Sequence, residues 1–116
     1  MLGSMDSIFV GSGYVALFIR GAKTLKDRRS VIQSAVQKLK NEGFSVAEMD
    51  FGEDPQRTAV AFTFVGKSFA FVENKFDEAL RVFNGPYYIV SKKKEIFQWE
   101  MDEEEGFKNA EDEIYE

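Results

Sequence analysis

Charged side chains dominate the positions that could do chemistry in this chain of 116 residues. Lys26, Arg28 and Arg29 stand in the run Thr24-Leu25-Lys26-Asp27-Arg28-Arg29, which opens a predicted helix. Glu48 and Asp50 alternate along the predicted strand after it. Arg57 begins the next strand, and Lys92-Lys93-Lys94 interrupts the last. Cations spread along one surface grip phosphate and make binding salt-sensitive. A cation turned inward needs a partner, because breaking a buried pair costs about 3–5 kcal/mol. There is no histidine, so the usual general base near neutral pH and the commonest metal ligand are missing. There is no cysteine, which excludes disulfides, thiolate zinc sites and a thiol nucleophile. Glu48, Asp50, Glu53 and Asp54 are the carboxylates best placed for Mg²⁺. No phosphate loop accompanies them, and Gly11-Ser12-Gly13 lacks the third glycine and helix of a dinucleotide fingerprint. The expectation is a protein without catalytic activity, cofactor or metal.

These charges need a scaffold, and the apolar pattern supplies one. Length indicates one domain. Ser7–Ile19 reads as a strand that is apolar on both sides, hence central, with Gly11-Ser12-Gly13 marking a bulge or a close backbone approach. Thr24 is a helix N-cap with Asp27 three residues on, and Leu25–Glu42 follows with helical spacing until Gly43 stops it. Phe44–Phe51 and Arg57–Val65 form a hairpin across a short turn. Ser68 caps a second helix whose buried stripe is Phe69, Val72, Phe76, Ala79, Leu80 and Phe83, with Phe71 nearly opposite. Tyr87–Glu100 reads as one long kinked strand, with a hairpin as the alternative. The order βαββαβ predicts a ferredoxin-like α+β domain: a four-stranded antiparallel sheet with two helices on one face. The other face is then solvated or covered by a partner.

At about 100° per residue Arg28 falls inside the first helix's apolar stripe, while Lys26, Arg29 and Lys40 fall outside it. Glu48 or Asp50 is the expected ion-pair partner of Arg28. The phosphate-gripping alternative uses Lys26, Arg29, Lys40, Arg57 and Lys92, Lys93 and Lys94. The three consecutive lysines also read as protection of an exposed sheet edge. Tyr14, Phe18, Phe62 and Phe64 are candidates for one sheet face, where they would form a base-stacking platform, pack in the core or make a face buried in a homodimer. The RNA-recognition octapeptide fits Arg57–Phe64 only at its ends.

The segments Thr24-Leu25-Lys26-Asp27-Arg28-Arg29, Phe44-Ser45-Val46-Ala47-Glu48-Met49-Asp50 and Pro55-Gln56-Arg57-Thr58 together resemble the YlxP-like family of small bacterial proteins, a domain of unknown function. The likeness spans roughly residues 8–100 and departs from the family pattern at Pro55 and Thr58. It implies a ferredoxin-like fold. Members are often encoded beside translation and ribosome-maturation factors, which implies ribosomal RNA or a ribosomal subunit as partner. The alternative is a homodimeric interaction module that binds no nucleic acid.

Net charge is −5, but residues 100–116 carry nine acids against one lysine. The body is therefore mildly basic, and residues 101–116 are expected to form a disordered acidic tail. Phe107, Ile114 and Tyr115 would anchor that tail if it folded back on the basic helix end. Gly3-Ser4 before Met5 reads as an expression scar, which sets residues 1–6 apart from the domain at 7–100. No signal peptide or membrane-spanning run is visible, so the cytoplasm is the expected location.

Overall fold

The structure, a computed structural model, describes residues 5–49, 52–104 and 106–107. Its elements are β1 (Met5–Ile19), α1 (Leu25–Asn41), β2 (Ser45–Met49), β3 (Arg57–Gly66), α2 (Phe69–Arg81) and β4 (Tyr87–Asp102). The strands form one antiparallel sheet in the order β2-β3-β1-β4. Both helices pack on one face, over a single core that joins Ile32, Val36 and Leu39 to Val15, Val60, Phe62 and Phe76. The fold is ferredoxin-like α+β, and β1 is an inner strand as its two apolar sides require. Met5 and Asp6 pair with Asp102 and Met101, so the folded body begins before Ser7 and runs past Glu100.

The helices start and stop where the local chemistry dictates. Thr24 Oγ1 accepts from the Asp27 N–H at 3.0 Å, and Asp27 Oδ2 accepts from the N–H groups of Lys23 and Thr24. The Lys23 N–H foremost holds the Asp27 carboxyl below its ordinary 3.8. Gly43, at φ 95°, takes the left-handed turn after α1. Ser68 Oγ accepts from the Phe71 N–H at 3.3 Å to open α2. Phe69 departs from its expected burial: it is 48% exposed and only edges against Phe9. The Tyr87 hydroxyl donates to the Val31 carbonyl at 2.6 Å and ties the start of β4 to α1. Burial pushes that phenol's pKa up.

The glycines of β1 do a different job from the expected bulge. The register runs unbroken through Gly11, Ser12 and Gly13. A Cβ at Gly11 would lie 2.4 Å from Phe76 Cε2 and 2.7 Å from Val72 Cγ1. A Cβ at Gly13 would lie 2.6 Å from the Lys93 carbonyl oxygen, the close backbone approach that the sequence reading also allowed. The glycines thus make the seat into which α2 sinks. The irregularity in pairing lies between Ala16 and Leu17, opposite Ser91 and Ile89, which leaves Val90 as the extra residue on β4. β4 is therefore one kinked strand and not a hairpin.

Replacing Gly11 with Ala is expected to lower stability by about 1–3 kcal/mol, the usual cost of overpacking. Denaturant unfolding checks this, and adding Phe76→Leu to the same chain is expected to recover part of the loss.

Candidate functional site

Arg28 is buried, with 6% of its surface exposed, as its place on the α1 stripe implies. Its Nη1 donates to three backbone carbonyls: Gly52 at 3.2 Å, Asp54 at 2.7 Å and Arg57 at 3.2 Å. The guanidinium therefore holds the β2–β3 connection against the first turn of α1. Glu48, expected to answer this charge, is at the surface and accepts from Gln33 Nε2 at 2.9 Å. Asp50 lies outside the described residues. Carbonyl acceptors were not readable from residue types, because every residue carries one.

The cations proposed to grip phosphate are not gathered on one surface. Lys26, Arg29 and Lys40 are exposed on α1, on the helix side of the sheet. Arg57 pairs in register with Phe18, on the opposite side, and its Nε lies 3.4 Å from Asp54 Oδ2. Lys92 and Lys94 are opposite Val15 and Gly13, hence on the helix side. Lys94 Nζ lies 3.9 Å from Glu73 Oε2 of α2. Lys93 is on the far side, 3.2 Å from Glu95 Oε1. β4 is an edge strand, and the three lysines occupy its middle, where edge protection places them. Glu53 is exposed, and Asp54 Oδ1 accepts from the Gln56 N–H at 2.8 Å. Among the described residues no three metal-ligating side chains gather.

The base-stacking platform does not form, and Phe62 and Phe64 take the core-packing alternative. Residues directly opposite in an antiparallel pair share a face. Phe62 and Phe64 are opposite Gly13 and Gly11, under the helices, where Phe62 stacks on Phe76 at 5.3 Å between ring centres. Tyr14 and Phe18 are opposite Ala61 and Arg57, on the uncovered side. Phe71 is exposed on α2 and leans on Phe64 at 5.8 Å.

The uncovered side carries a different apolar surface, one the sequence reading missed. Ile8, Val65, Phe97, Trp99 and Met101 crowd one end, and all are more than 40% exposed. Phe18 and Tyr88 mark the other end, with the Arg20 guanidinium 5.6 Å from the centre of the Tyr88 ring. Between them small residues leave a hollow of about 220 Å³ lined by Ser12, Ser45, Ala47, Ala61 and Thr63. The alternation Phe97-x-Trp99-x-Met101 was the available signal. The extra residue at Val90 hid it, because a bulge swaps which parity faces outward: Tyr88 before it, odd-numbered residues after it.

The sequence matches the family model described as Protein of unknown function (DUF503) over residues 10–102. The chain belongs to that family. No curated protein matches it. Among solved structures, one neighbour is LarC2, the C-terminal domain of a cyclometallase involved in the synthesis of the NPN cofactor of lactate racemase, in its apo form. Identity is 11% and the TM-score is 0.43, with 83% of this chain and 58% of that one covered. This chain thus spans little more than half the length of that neighbour. Another is the de novo designed protein Foldit4, at 12% identity and a TM-score of 0.39, covering 81% of this chain and 97% of that one. Among the described residues no helix is long and apolar enough to cross a membrane.

Substituting Arg28 with Met leaves the turn carbonyls without their charged donor. The expected cost is about 1.5–3 kcal/mol, the range for a hydrogen bond to a charged group. Arg28→Lys is expected to recover only part of it, since an ammonium cannot reproduce the guanidinium fork. Urea unfolding of the three chains checks the order.

Proposed function

We propose that this protein is a non-catalytic, cytoplasmic protein-interaction module whose working surface is the uncovered face of the sheet. The observation that carries this is the apolar end of that face, above all Trp99 at 70% exposure beside Phe97 and Met101. A soluble chain rarely leaves such a contiguous patch without a use, and aromatic and methionine side chains are the types enriched where proteins meet. Tryptophan is also among the side chains enriched at binding hot spots.

The charge pattern favours a protein over a nucleic acid on this face. A phosphate-tracking surface needs free cations in a row. Here Lys93 is answered by Glu95 and Arg57 by Asp54. The outward cations of α1 lie on the other side of the molecule from Lys93 and Arg57. The YlxP-like resemblance keeps ribosomal RNA as the rival partner, and it would have to be held by Lys26, Arg29 and Lys40 without help from the sheet.

A photo-reactive benzoylphenylalanine in place of Trp99, in live cells, tests the reading. The expected result is a covalent protein adduct that is absent when the same probe replaces Lys26. Adducts from position 26 alone, or RNA retention that is lost with salt and with charge reversal at Lys26 and Arg29, would contradict it.

A further inference from the structure

We infer that the partner seated on the uncovered face is a second copy of this chain, stacked face to face about a two-fold axis that crosses β1 at Gly13. This deepens the interaction reading above and rests on it.

The face matches itself about that point. A two-fold axis lying between the sheets and perpendicular to the strands sets each residue against the position equally far on the other side of Gly13. Val10 then meets Ala16 of the other copy, which its register places on the same face. Val65 and Phe97, in the row of Val10, meet Ala59 and Ser91, in the row of Ala16. Large side chains of one half thus fall on accessible small ones of the other half on β1 and β4, while Ala59 on β3 is already buried within its own chain. Lys93, in the row of Tyr14, meets Glu95, in the row of Ser12, and the reverse contact repeats it. The ion pair seen within each chain becomes a reciprocal square of charges. Ile8 and Trp99 fall over Phe18 and Tyr88, so the two apolar ends cover each other. Residue i meeting j while j meets i is what a two-fold interface demands.

The size fits as well. β1, β3 and β4 over rows 8 to 18, with the five residues of β2 beside rows 12 to 16, give a face of roughly 550 Å² per copy and about 1,100 Å² in total, above the roughly 1,000 Å² that a specific interface should clear. Antiparallel stacking of two twisted sheets is also the common aligned arrangement. The acidic C-terminal segment fits the face less well. Residues 108–116 hold four carboxylates and only Ala110, Ile114 and Tyr115 as apolar groups.

The chain has no cysteine and a single tryptophan, so both ends of the test are clean. In the full chain carrying Val10→Cys and Ala16→Cys, a short bismaleimide is expected to give a covalent dimer. Six residues along one strand, about 20 Å, put the two thiols of one chain beyond its reach. Either cysteine alone is expected to crosslink poorly. Unmodified protein is expected to sediment at twice the single-chain mass, with Trp99 shielded from acrylamide and becoming accessible on dilution. Lys93→Glu is expected to weaken the dimer at least tenfold, and Lys93→Glu with Glu95→Lys to restore it. Both positions are exposed, so neither change threatens folding. A single-chain mass at all concentrations overturns the inference, including one with Trp99 shielded by the chain's own C-terminal segment. So does a dimer in which Trp99 stays open to quencher. If the chain is monomeric and the probe at position 99 still captures a different protein, only the second copy is lost. If that probe captures nothing, the interaction reading falls too.

Discussion

Phe76 of α2 rests against Gly11 and Gly13 of β1, and this contact decides which side of the sheet the molecule keeps for itself. Side chains alternate along a strand, so filling the seat at 11 and 13 commits Val15 and Leu17 to the core. It commits Ile8, Val10, Tyr14 and Phe18 to the other side by the same step. Two helices cannot roof both faces of four strands. The side left over is apolar at both ends, where a solvated antiparallel face normally turns polar. The proposed function starts from that mismatch between position and composition.

The second fixed point is electrostatic. Arg28 brings a charge into the first turn of α1, where the helix dipole disfavours it. Three carbonyls converge on one of its nitrogens. They come from the β2–β3 connection and the first residue of β3, so the guanidinium anchors the hairpin to α1. β2, with only five residues, keeps its register against β3 beside that anchor. The buried cation is thus a structural device, which leaves Lys26 and Arg29 as the solvent-facing cations of the same run.

Much of the architecture was legible because periodicity and caps are local. Thr24 with Asp27, Gly43, and Ser68 placed the helix boundaries to within a residue or two. The inward turn of Arg28 followed from the same spacing. What was hidden is non-local. Nothing near Gly11 announces that Phe76, more than sixty residues on, will occupy its missing side chain. Three acceptors of Arg28 are main-chain atoms and carry no sequence signature. One extra residue at Val90 reverses the facing of everything after it, so the outward march of Phe97, Trp99 and Met101 could not be joined to Tyr88 without the register. The shared aromatic face failed for the same reason: Phe62 and Phe64 pack in the core, as one of the readings had it, and the pairing with β1 puts Tyr14 and Phe18 on the opposite side.

Hydroxyl-radical footprinting of the full chain at high and low protein concentration addresses the central claim most directly, because it reads both sides of the sheet in one experiment. The account predicts that oxidation of Phe97, Trp99, Met101 and Tyr88 is suppressed when the protein is concentrated. Phe69 and Phe71, equally exposed on the helix side, are predicted to oxidise at the same rate throughout. Suppression at Phe69 and Phe71 with Trp99 unchanged would place the working surface on the helices and contradict it.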